Sequence, residues 1–527
     1  MNSIFKNNIF SISLATSLSK LIGFFRQILI AASFGIGIIY DAFNYAYIIP
    51  GFLLIIIGGI NGPLHNAVVS ILTPINPKKA GLIFTRICIK LTLIFGLIGL
   101  IIFLKALFFI KLLGPNLNIE TQLIAANQLK ILSPCIPLSA FIGLSYGALN
   151  SKNKFFISSF SPSFVSLTII VFIIFAEIVN KNTLGSYRYQ SQILSIATLV
   201  GTLIQFIIQI TQIYNIGFFR LSSIWNGLFD EEKRIFNLIF PASLSSGLGQ
   251  INVFVDMFFA SGFPGAASGL AYGNFLIQAP IGILSNSLIL PLLPAISKLR
   301  KMKETKNLQK IIYKATEYTF LTTFFLTGFF IAFNNQIIEL IFQRGAFNYE
   351  ATNTVKKILI AYAMGIPFYL FRDLLIRIYY AMENSKLPFK LALIGIGLNI
   401  GFDWILIGGP TINAGNLLPF NFGINGIVVA SGFVNFIVCL ILSINLKIKE
   451  KNLLNIFLLK KVILIFLAFF ITTTCSIQIN NFFTLKEQNF INNSLFLIIG
   501  FTIFSIIYFV ITKSLKVNSI KIFPLKS

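Results

Sequence analysis

Histidine, cysteine and acidic side chains are scarce in this chain of 527 residues. It has 16 aspartates and glutamates, four cysteines and one histidine, His65. One histidine is too few for a histidine-based metal centre. The cysteines lie singly in apolar stretches and form no CxxC spacing, so neither a disulfide framework nor a thiolate metal site is indicated. They are Cys88, Cys135, Cys439 and Cys475.

Motifs for covalent or hydrolytic chemistry are also lacking. The sequence has no nucleophile–base pair, no phosphate-binding P-loop and no cluster of metal ligands. We therefore expect that the protein is not an enzyme and does not itself hydrolyse ATP. The formal net charge is +25, but the basic residues cluster between apolar runs, as orientation signals do. Nucleic acid is therefore not expected as a partner.

Long hydrophobic runs are abundant, since 56% of the residues are hydrophobic and only 11% are charged. Runs of this length predict membrane-spanning helices, and the alternating segments of a barrel are not found. The expected fold class is therefore all-α, a polytopic integral membrane protein with about 14 transmembrane helices. The first run has no small-residue cleavage site and is expected to be a membrane helix, not a signal peptide. The predicted spans are 7–34, 38–66, 81–110, 123–149, 155–177, 192–214, 234–261, 267–296, 312–334, 352–381, 388–408, 423–446, 457–479 and 490–512.

The first span, Ser13–Gly35, carries two cations near its middle, Lys20 and Arg26. A cation at the centre of a bilayer costs about 2.5–3.5 kcal/mol on insertion scales, so these side chains should face protein or water. Lys20 lies on one helical line with Ser13 and Gln27, which forms a polar stripe. The alternative is that the cations extend from a helix end to the membrane surface.

The loops between the spans sort into a cation-rich and a cation-poor side. The rich side is expected to be cytoplasmic, which places both termini in the cytoplasm and makes the number of spans even. A mixed-charge segment on that side, 217–233, is predicted to be an amphipathic linker lying along the membrane. It separates a lobe at 1–216 from a second lobe at 234–446, and 447–527 forms a two-helix extension.

The two lobes resemble each other. Ser13–Gly35 aligns without gaps on Ser243–Gly265, and the same offset of 230 places Pro50 on Pro280. A second match, at an offset of 234, relates the segment 146–155 to the segment 380–389. We interpret the two matches as a duplicated six-helix bundle whose repeats have the same orientation in the membrane.

Several segments resemble the lipid II flippase family, often called MurJ or MviN, of the multidrug/oligosaccharidyl-lipid/polysaccharide exporter superfamily. The opening SLSKLIGFFRQILIAASFGIGIIYDAFNYAYIIPGFL resembles the first two spans of the family. GALNSKNKF, IFQRGAF and YYAMENSKLP resemble later connections, and GGINGP resembles the branch found in photosynthetic bacteria. The plan of a duplicated twelve spans followed by two more is also that of the family.

This resemblance implies a V-shaped pair of pseudo-symmetric six-helix lobes around a cationic cavity, with a lipid-tail groove leading to the last two spans. It implies alternating access and movement of an undecaprenyl-pyrophosphate-linked cell-wall precursor from the inner to the outer leaflet. The expected location is the bacterial plasma membrane, and the expected contacts are the precursor and membrane lipids. A monomer is expected, with possible association with the cell-wall synthesis machinery.

The expected headgroup site uses the cations of the first and tenth spans. Lys20 and Arg26 fall on the two cation positions of the family's first helix, with Ser19 beside them. Arg372 and Arg377 are added by span ten, where Asp373 lies four residues before Arg377 and is expected to pair with it. The alternative for Arg377 is that it reaches the membrane surface from the helix end.

The sequence departs from the family at several charged positions. Leu54 replaces a common arginine and Gly59 a glutamate, both in the second span. In span eight the family's Asp, Arg and Glu positions hold Asn274, Phe275 and Gln278. We therefore expect Asn274 and Gln278 to supply amide polarity to the headgroup site in place of charge.

A coupling-ion site is expected from Asp256 in span seven and from Asn399 and Asp403, which lie four apart in span eleven. Carboxylate and amide oxygens suit a hard cation, and the resemblance implies sodium at these positions, with Ser431 as a ligand from span twelve. No tightly bound cofactor is expected, and Na⁺ is the possible coupling ion. The alternatives are that Asp403 is solvated and that Asp256 pairs with a basic residue.

Asp41, which opens the second span, matches a family aspartate and is expected to belong to an outer gate. The alternative is a carboxylate that caps a helix N-terminus. For the whole chain, the function expected is lipid II flipping in peptidoglycan biosynthesis. The alternatives are a flippase for another polyprenyl-linked oligosaccharide, a multidrug/cation antiporter of the same superfamily, and a membrane scaffold without transport.

Overall fold

The computed structural model describes residues 2–57, 63–180, 190–219, 230–289, 291–408, 420–449, 456–482 and 490–515. Throughout these ranges the regular secondary structure is helical, with no strand, as the fold class predicted. Most of the predicted amphipathic linker, 220–229, lies outside them, as do the departure at Gly59 and its glycine-rich surroundings.

The chain divides into two compact units, Met1–Ser268 and Gly269–Ser527. The predicted lobe boundary at 217–233 stays a prediction. The described helices of the first unit are α1 (Asn2–Phe34), α2 (Ile38–Ile57), α3 (Pro63–Leu72), α4 (Pro77–Leu104), α5 (Ala106–Leu113), α6 (Ile119–Leu132), α7 (Cys135–Ser151), α8 (Phe155–Phe160), α9 (Ser163–Asn180), α10 (Ile193–Asn215) and α11 (Asp230–Ala260).

The first unit is built on a core where α3, α4, α7 and α10 meet. Its buried side chains include Phe84, Phe141 and Leu144, with Phe218 packed against Phe84 just beyond α10. Gly147 lets α7 approach α3 closely, since a Cβ there would lie 2.7 Å from Cβ of Val68. In the same unit α1 packs on α8 and α9, and α2 packs on α6, α7 and α11.

The second unit contains nine described helices, the first of which begins three residues before its boundary. They are α12 (Ala266–Leu284), α13 (Leu292–Lys301), α14 (Thr305–Ala332), α15 (Asn334–Ile341), α16 (Tyr349–Ala381), α17 (Lys386–Leu406), α18 (Ile424–Lys449), α19 (Ile456–Phe482) and α20 (Phe490–Ser514). A π-helical turn, Ser285–Ile289, follows α12.

In the second unit α16 packs against α14 and α18, and the last two helices pack on α14 and α15. Aromatic rings fill the contact with α20, where Phe325 of α14 lies against Phe504 and Tyr508 at centroid distances of 5.4 Å. Lys461 of α19 forms an ion pair of 2.9 Å with the buried carboxylate of Glu317 on α14. The C-terminal helix pair therefore packs on the rest of the unit through aromatic contacts and an ion pair.

Within the described residues, nine helices are long and apolar enough to cross a membrane, or eleven if each of two bent pairs is one span. The bent pairs are α6 with α7, at 47°, and α14 with α15, at 74°. Each predicted span coincides with one helix or with consecutive helices. The exact count of about 14 stays a prediction, because α2, α9 and α11 do not meet the same test of length and composition.

The first repeat match is visible in the backbone. Gly35 and Gly265, which the offset of 230 pairs, both adopt positive φ, at 54° and 79°, a conformation that glycine accepts without a steric penalty. Pro50 and Pro280 both lie inside a helix. The second match is looser, because α7 runs on to Ser151 whereas α16 ends at Ala381, about one turn earlier in the alignment.

Candidate functional site

A polar cavity of about 270 Å³ lies inside the first unit among α1, α2, α6, α7, α9 and α10. Among the lining residues that the structure describes, Arg26 is the single charged one. The other lining residues are Ser19, Tyr47, Pro50, Gly51, Leu54, Leu132, Cys135, Ser139, Ile142, Tyr146, Pro162, Val165, Ser166, Thr198, Thr202 and Gln205. Two of the predicted headgroup residues, Ser19 and Arg26, are therefore brought together, and so is Leu54, which replaces the family arginine.

Arg26 is held by a neutral partner. Its Nη1 donates to Oγ of Ser166 on α9 at 3.4 Å, while its Nε is buried without a hydrogen-bond partner. Over the described ranges no carboxylate forms an ion pair with it. A half-buried guanidinium without a counter-charge can accept an anion that enters the cavity, because the pairing would satisfy its remaining donors.

Lys20 does not line this cavity. Its side chain is exposed, whereas Gln27, on the same predicted stripe, is buried and donates from Nε2 to the hydroxyl of Tyr40 at 2.7 Å. The stripe therefore has an exposed end at Ser13 and Lys20 and a buried end at Gln27.

A buried hydrogen-bond network supports the far wall of the cavity, and the sequence analysis missed it. Gln205 donates from Nε2 to the hydroxyl of Tyr146 at 2.7 Å, and Gln209 donates to Oγ of Ser161 at 2.9 Å. The signal was available, because the polar residues of α10 recur at spacings of four, three and four on one face. They are Thr198, Thr202, Gln205 and Gln209.

The cations of span ten lie on α16 in the second unit. Arg372 Nη1 donates to Oδ1 of Asn435 on α18, and its guanidinium carbon lies 5.0 Å from the ring centroid of Tyr369. Arg377 pairs with Asp373 at 3.3 Å, as predicted, and Asp373 also accepts a hydrogen bond from Ser285 at 2.8 Å. In the part of the chain that is described, Arg372 has no carboxylate partner. Its Nε is buried and has no hydrogen-bond partner.

Asn274 and Gln278 lie one turn apart on α12. Both are exposed, and Nε2 of Gln278 donates to Oδ1 of Asn274 at 3.2 Å. Two amides joined in this way still present a donor and an acceptor to a ligand. Their contribution to a headgroup site stays a prediction.

Three of the four predicted sodium ligands form a connected group in the second unit. Asn399 and Asp403 are buried on α17, where Nδ2 of Asn399 donates to Oδ2 of Asp403 at 3.0 Å. Ser431 on α18 donates from its hydroxyl to Oδ1 of Asn399 at 3.2 Å. Asp256 is half-buried on α11 and belongs to the first unit. Among described residues no three His, Cys, Asp or Glu side chains form a metal-binding group.

Asp41 is buried and accepts three hydrogen bonds. They come from N of Gly265 at 2.6 Å, from N of Ser268 at 2.7 Å and from the Ser268 hydroxyl at 2.6 Å. These backbone donors belong to the first turn of a helix, where N–H groups have no partner within the helix. Asp41 is thus a capping carboxylate for a neighbouring segment of its own unit, and the gate role stays a prediction.

An apolar groove of about 660 Å³ runs between α14, α16, α18 and α19 in the second unit. Aromatic and aliphatic side chains contribute equally to its wall, and Thr327, Cys439 and Ser443 are the polar or thiol exceptions. The groove reaches α19, the first helix of the C-terminal pair, through Leu459, Ile463 and Phe466. A surface of this kind favours hydrocarbon over a polar ligand.

Comparison with known proteins places these features in a family. The family model described as lipid II flippase MurJ matches residues 30–499. A probable lipid II flippase MurJ of Synechocystis sp. is 36% identical over 430 residues, which are 80% of this chain and 78% of that protein. The lipid II flippase MurJ of Thermosipho africanus is 28% identical over 409 residues, 77% of this chain and 80% of that protein.

Solved structures agree with the sequence comparisons. Lipid II flippase MurJ in an inward closed conformation has a TM-score of 0.76 at 25% identity, covering 96% of this chain and 98% of that one. An inward-facing multidrug resistance MATE transporter of the MOP superfamily has a TM-score of 0.63 at 14% identity, covering 85% and 98%, which is a likeness of fold alone. With its family model, relatives and fold in agreement, this multi-span membrane chain belongs to the lipid II flippase MurJ family.

Proposed function

We propose that the protein is a lipid II flippase that moves the undecaprenyl-pyrophosphate-linked peptidoglycan precursor from the inner to the outer leaflet by alternating access. The observation that carries the proposal is Arg26, a half-buried arginine with a neutral partner in a polar cavity among apolar helices. Family membership identifies the anion as a lipid-linked wall precursor. Family membership does not support the two alternative functions, a flippase for another polyprenyl-linked oligosaccharide and a multidrug/cation antiporter.

The pyrophosphate is the part of the substrate that hydrocarbon excludes most strongly. In this proposal Arg26 binds it in the first unit, with Ser19 and Lys20 supplying further polar contacts. Arg372 and Arg377 are proposed headgroup contacts of the second unit, with Asn274 and Gln278 supplying amide groups there. The inside-negative membrane potential favours export of an anion by about 2.3 kcal/mol per charge per 100 mV. The chain then needs no catalytic group and no ATP of its own, and it works as a transporter.

The groove of the second unit is proposed to hold the polyprenyl tail while the head moves. Because the surrounding lipid is as apolar as the groove, shape and packing against the groove wall would hold the tail there rather than the hydrophobic effect. Ser443→Trp, which fills the groove, should reduce flipping. Leu495→Trp, on an exposed position of α20, should leave it unchanged.

Sodium is proposed as the coupling ion, held by Asn399, Asp403 and Ser431 with Asp256 as a fourth ligand. The buried carboxylate and its amide and hydroxyl neighbours have the hard oxygen donors that Na⁺ prefers. Asp403→Asn should abolish the rise in unfolding temperature that Na⁺ gives over K⁺. Asp373→Asn, a carboxylate already engaged by Arg377, should retain that rise.

The test of the main proposal is depletion in the native cell. Loss of the protein should stop wall growth and accumulate precursor on the inner leaflet, and an Arg26→Ala copy should fail to restore growth. Arg234→Ala, an exposed arginine of the same unit, should restore it. Full rescue by Arg26→Ala at normal protein level would contradict the role of Arg26. We place the protein in the bacterial plasma membrane as a monomer, with both termini cytoplasmic.

A further inference from the structure

Six basic residues lie within thirteen positions of the α13–α14 hairpin of the second unit. The only acidic residue in that stretch is Glu304, so the segment 298–310 carries six positive charges, one negative charge and a net +5. All six side chains are exposed. They are Lys298, Arg300, Lys301, Lys303, Lys306 and Lys310.

The hairpin is a fixed part of the unit. Leu292 and Ile296 of α13 are buried, at 2% and 0% exposure, and so are Leu308 and Ile312 of α14, at 7% and 0%. Because both helices bury their apolar residues against the unit, the basic side chains are displayed on a rigid support. α14 then continues as a predicted membrane span, so these charges lie at a membrane surface.

Glu304 does not neutralise the cluster. Its Oε2 accepts a hydrogen bond from Nδ2 of Asn307 at 2.6 Å, and within the described residues none of the six cations forms an ion pair. At the tip, Lys303 adopts a positive φ of 57°. The Met302 side chain beside it is 57% exposed, an apolar group placed among cations.

Helix stability does not explain this arrangement. Lys298, Arg300 and Lys301 end α13, where cations favourably meet the negative end of the helix dipole. Lys306 lies in the first turn of α14, where the same dipole disfavours a cation, and Lys310 follows one turn later. Helix stability therefore does not account for the second half of the cluster, whose exposed charges are available to an anionic partner.

We propose that the α13–α14 hairpin binds anionic phospholipid headgroups of the adjacent leaflet and inserts Met302 at the interface. Clusters of four to eight basic residues next to a membrane span attract anionic lipid, with each residue strengthening the association about fivefold. Met302 adds an apolar contact at the acyl boundary. The inference does not depend on the substrate, because no residue of the cavity or the groove takes part in it.

The first test measures unfolding temperature of the purified full chain in an uncharged detergent with added phosphatidylglycerol or phosphatidylcholine. Phosphatidylglycerol should raise the temperature by several degrees, and phosphatidylcholine should not. The variant Lys298→Gln, Arg300→Gln, Lys303→Gln, Lys306→Gln should lose this rise at the same lipid concentration, since four contributions of about fivefold each weaken the association by several hundredfold. A control with four exposed cations changed elsewhere, Lys105→Gln, Lys111→Gln, Lys130→Gln, Lys357→Gln, should behave as the unsubstituted chain.

A local probe keeps the proposal testable if the fourfold variant folds poorly. A polarity-sensitive dye on Met302→Cys, corrected for labelling of the unsubstituted chain, should emit at shorter wavelength in phosphatidylglycerol nanodiscs than in phosphatidylcholine nanodiscs. High salt should remove the difference, since exposed charges are screened. Equal emission in both lipids, or an undiminished phosphatidylglycerol effect in the fourfold variant, would overturn the proposal, as would binding of an acidic protein segment to the hairpin instead.

Discussion

Arg26 and Arg372 share an arrangement that differs from that of Arg86, because neither has a carboxylate partner among the described residues. Each guanidinium donates to one neutral side-chain oxygen, Ser166 for Arg26 and Asn435 for Arg372, and each has a buried Nε without a partner. Arg86, by contrast, lies 2.7 Å from a carboxylate oxygen of Glu232. A paired arginine has little affinity left for a ligand, whereas a neutral partner orients the side chain and leaves its charge available.

Ser166→Ala removes the partner that positions Arg26. We expect a severalfold lower flipping rate, since a hydrogen bond as long as 3.4 Å contributes less than the about 1.5–3 kcal/mol of a well-formed bond to a charged group. Ser139→Ala is the matched control, because Ser139 lines the same cavity but donates to the backbone of its own helix at 2.7 Å. Transport of a fluorescent polyprenyl-pyrophosphate in reconstituted vesicles measures both, and equal rates would show that Ser166 does not position Arg26.

Glu232 and Glu231 allow the contribution of a buried ion pair to stability to be compared with that of an exposed one. Glu232 is fully buried and lies 2.7 Å from Arg86 and 2.8 Å from Lys90, so Glu232→Gln should cost about 3–5 kcal/mol by leaving Arg86 unpaired. Glu231 pairs with the exposed Lys79 at 2.6 Å, and Glu231→Gln should change stability by no more than about 1 kcal/mol. Chemical unfolding in detergent compares the two. A similar loss of stability in both variants would contradict the assignment of Glu232 as the buried partner of Arg86 and Glu231 as an exposed one.

At the scale of elements, two helices meet behind the cavity at Gly201. A Cβ there would lie 2.6 Å from Cα of Val165 on α9 and closer still to the hydroxyl of Thr168. The absence of a side chain thus sets the distance between α9 and α10. The same two helices carry Ser166, Thr198 and Gln205 of the cavity wall, so helix spacing and site geometry are coupled.

Gly201→Ala should therefore push α9 from α10, destabilise the fold by about 1–3 kcal/mol and weaken flipping through the displaced Ser166. Gly96→Ala, in the interior of α4 with open space around it, should be neutral or stabilising by about 0.5–1 kcal/mol. Thermal unfolding and vesicle transport give the two readouts. If Gly201→Ala were as harmless as Gly96→Ala, the close approach of α9 and α10 would be disproved.

At the scale of the whole molecule, the distribution of basic residues predicts an even number of spans with both ends in the cytoplasm. A fluorescent protein fused to the C-terminus should fold and fluoresce, and alkaline phosphatase fused there should be inactive. Fusions at 114–118, between α5 and α6 and expected outside, should give the opposite pattern. Active phosphatase at the C-terminus would require an odd number of spans.

Much of the fold follows from the sequence because a bilayer leaves few choices. Backbone polar groups in hydrocarbon must be paired within a helix, so an apolar run of about 20 residues determines both the element and its length. The sequence also paired Pro50 with Pro280 and Gly35 with Gly265, and the structure gives each pair a matching conformation. The sequence did not predict the bend between α14 and α15, nor that α16 ends about one turn earlier than α7 in the repeat alignment. Local packing decides both features.

The sequence by itself determined the helical membrane class, the alignment of Gly35 with Gly265, the two cations of the first span, the pairing of Arg377 with Asp373 and the family. These depend on apolar run length, on spacing along one helix and on local motifs. Only the tertiary structure decided that Arg26 lines the cavity while Lys20 does not, that Asp41 caps a segment 224 residues away, and that Tyr146 and Gln205 join behind the cavity. Those contacts connect residues distant in sequence, and the position of one helix against another depends on side chains from both.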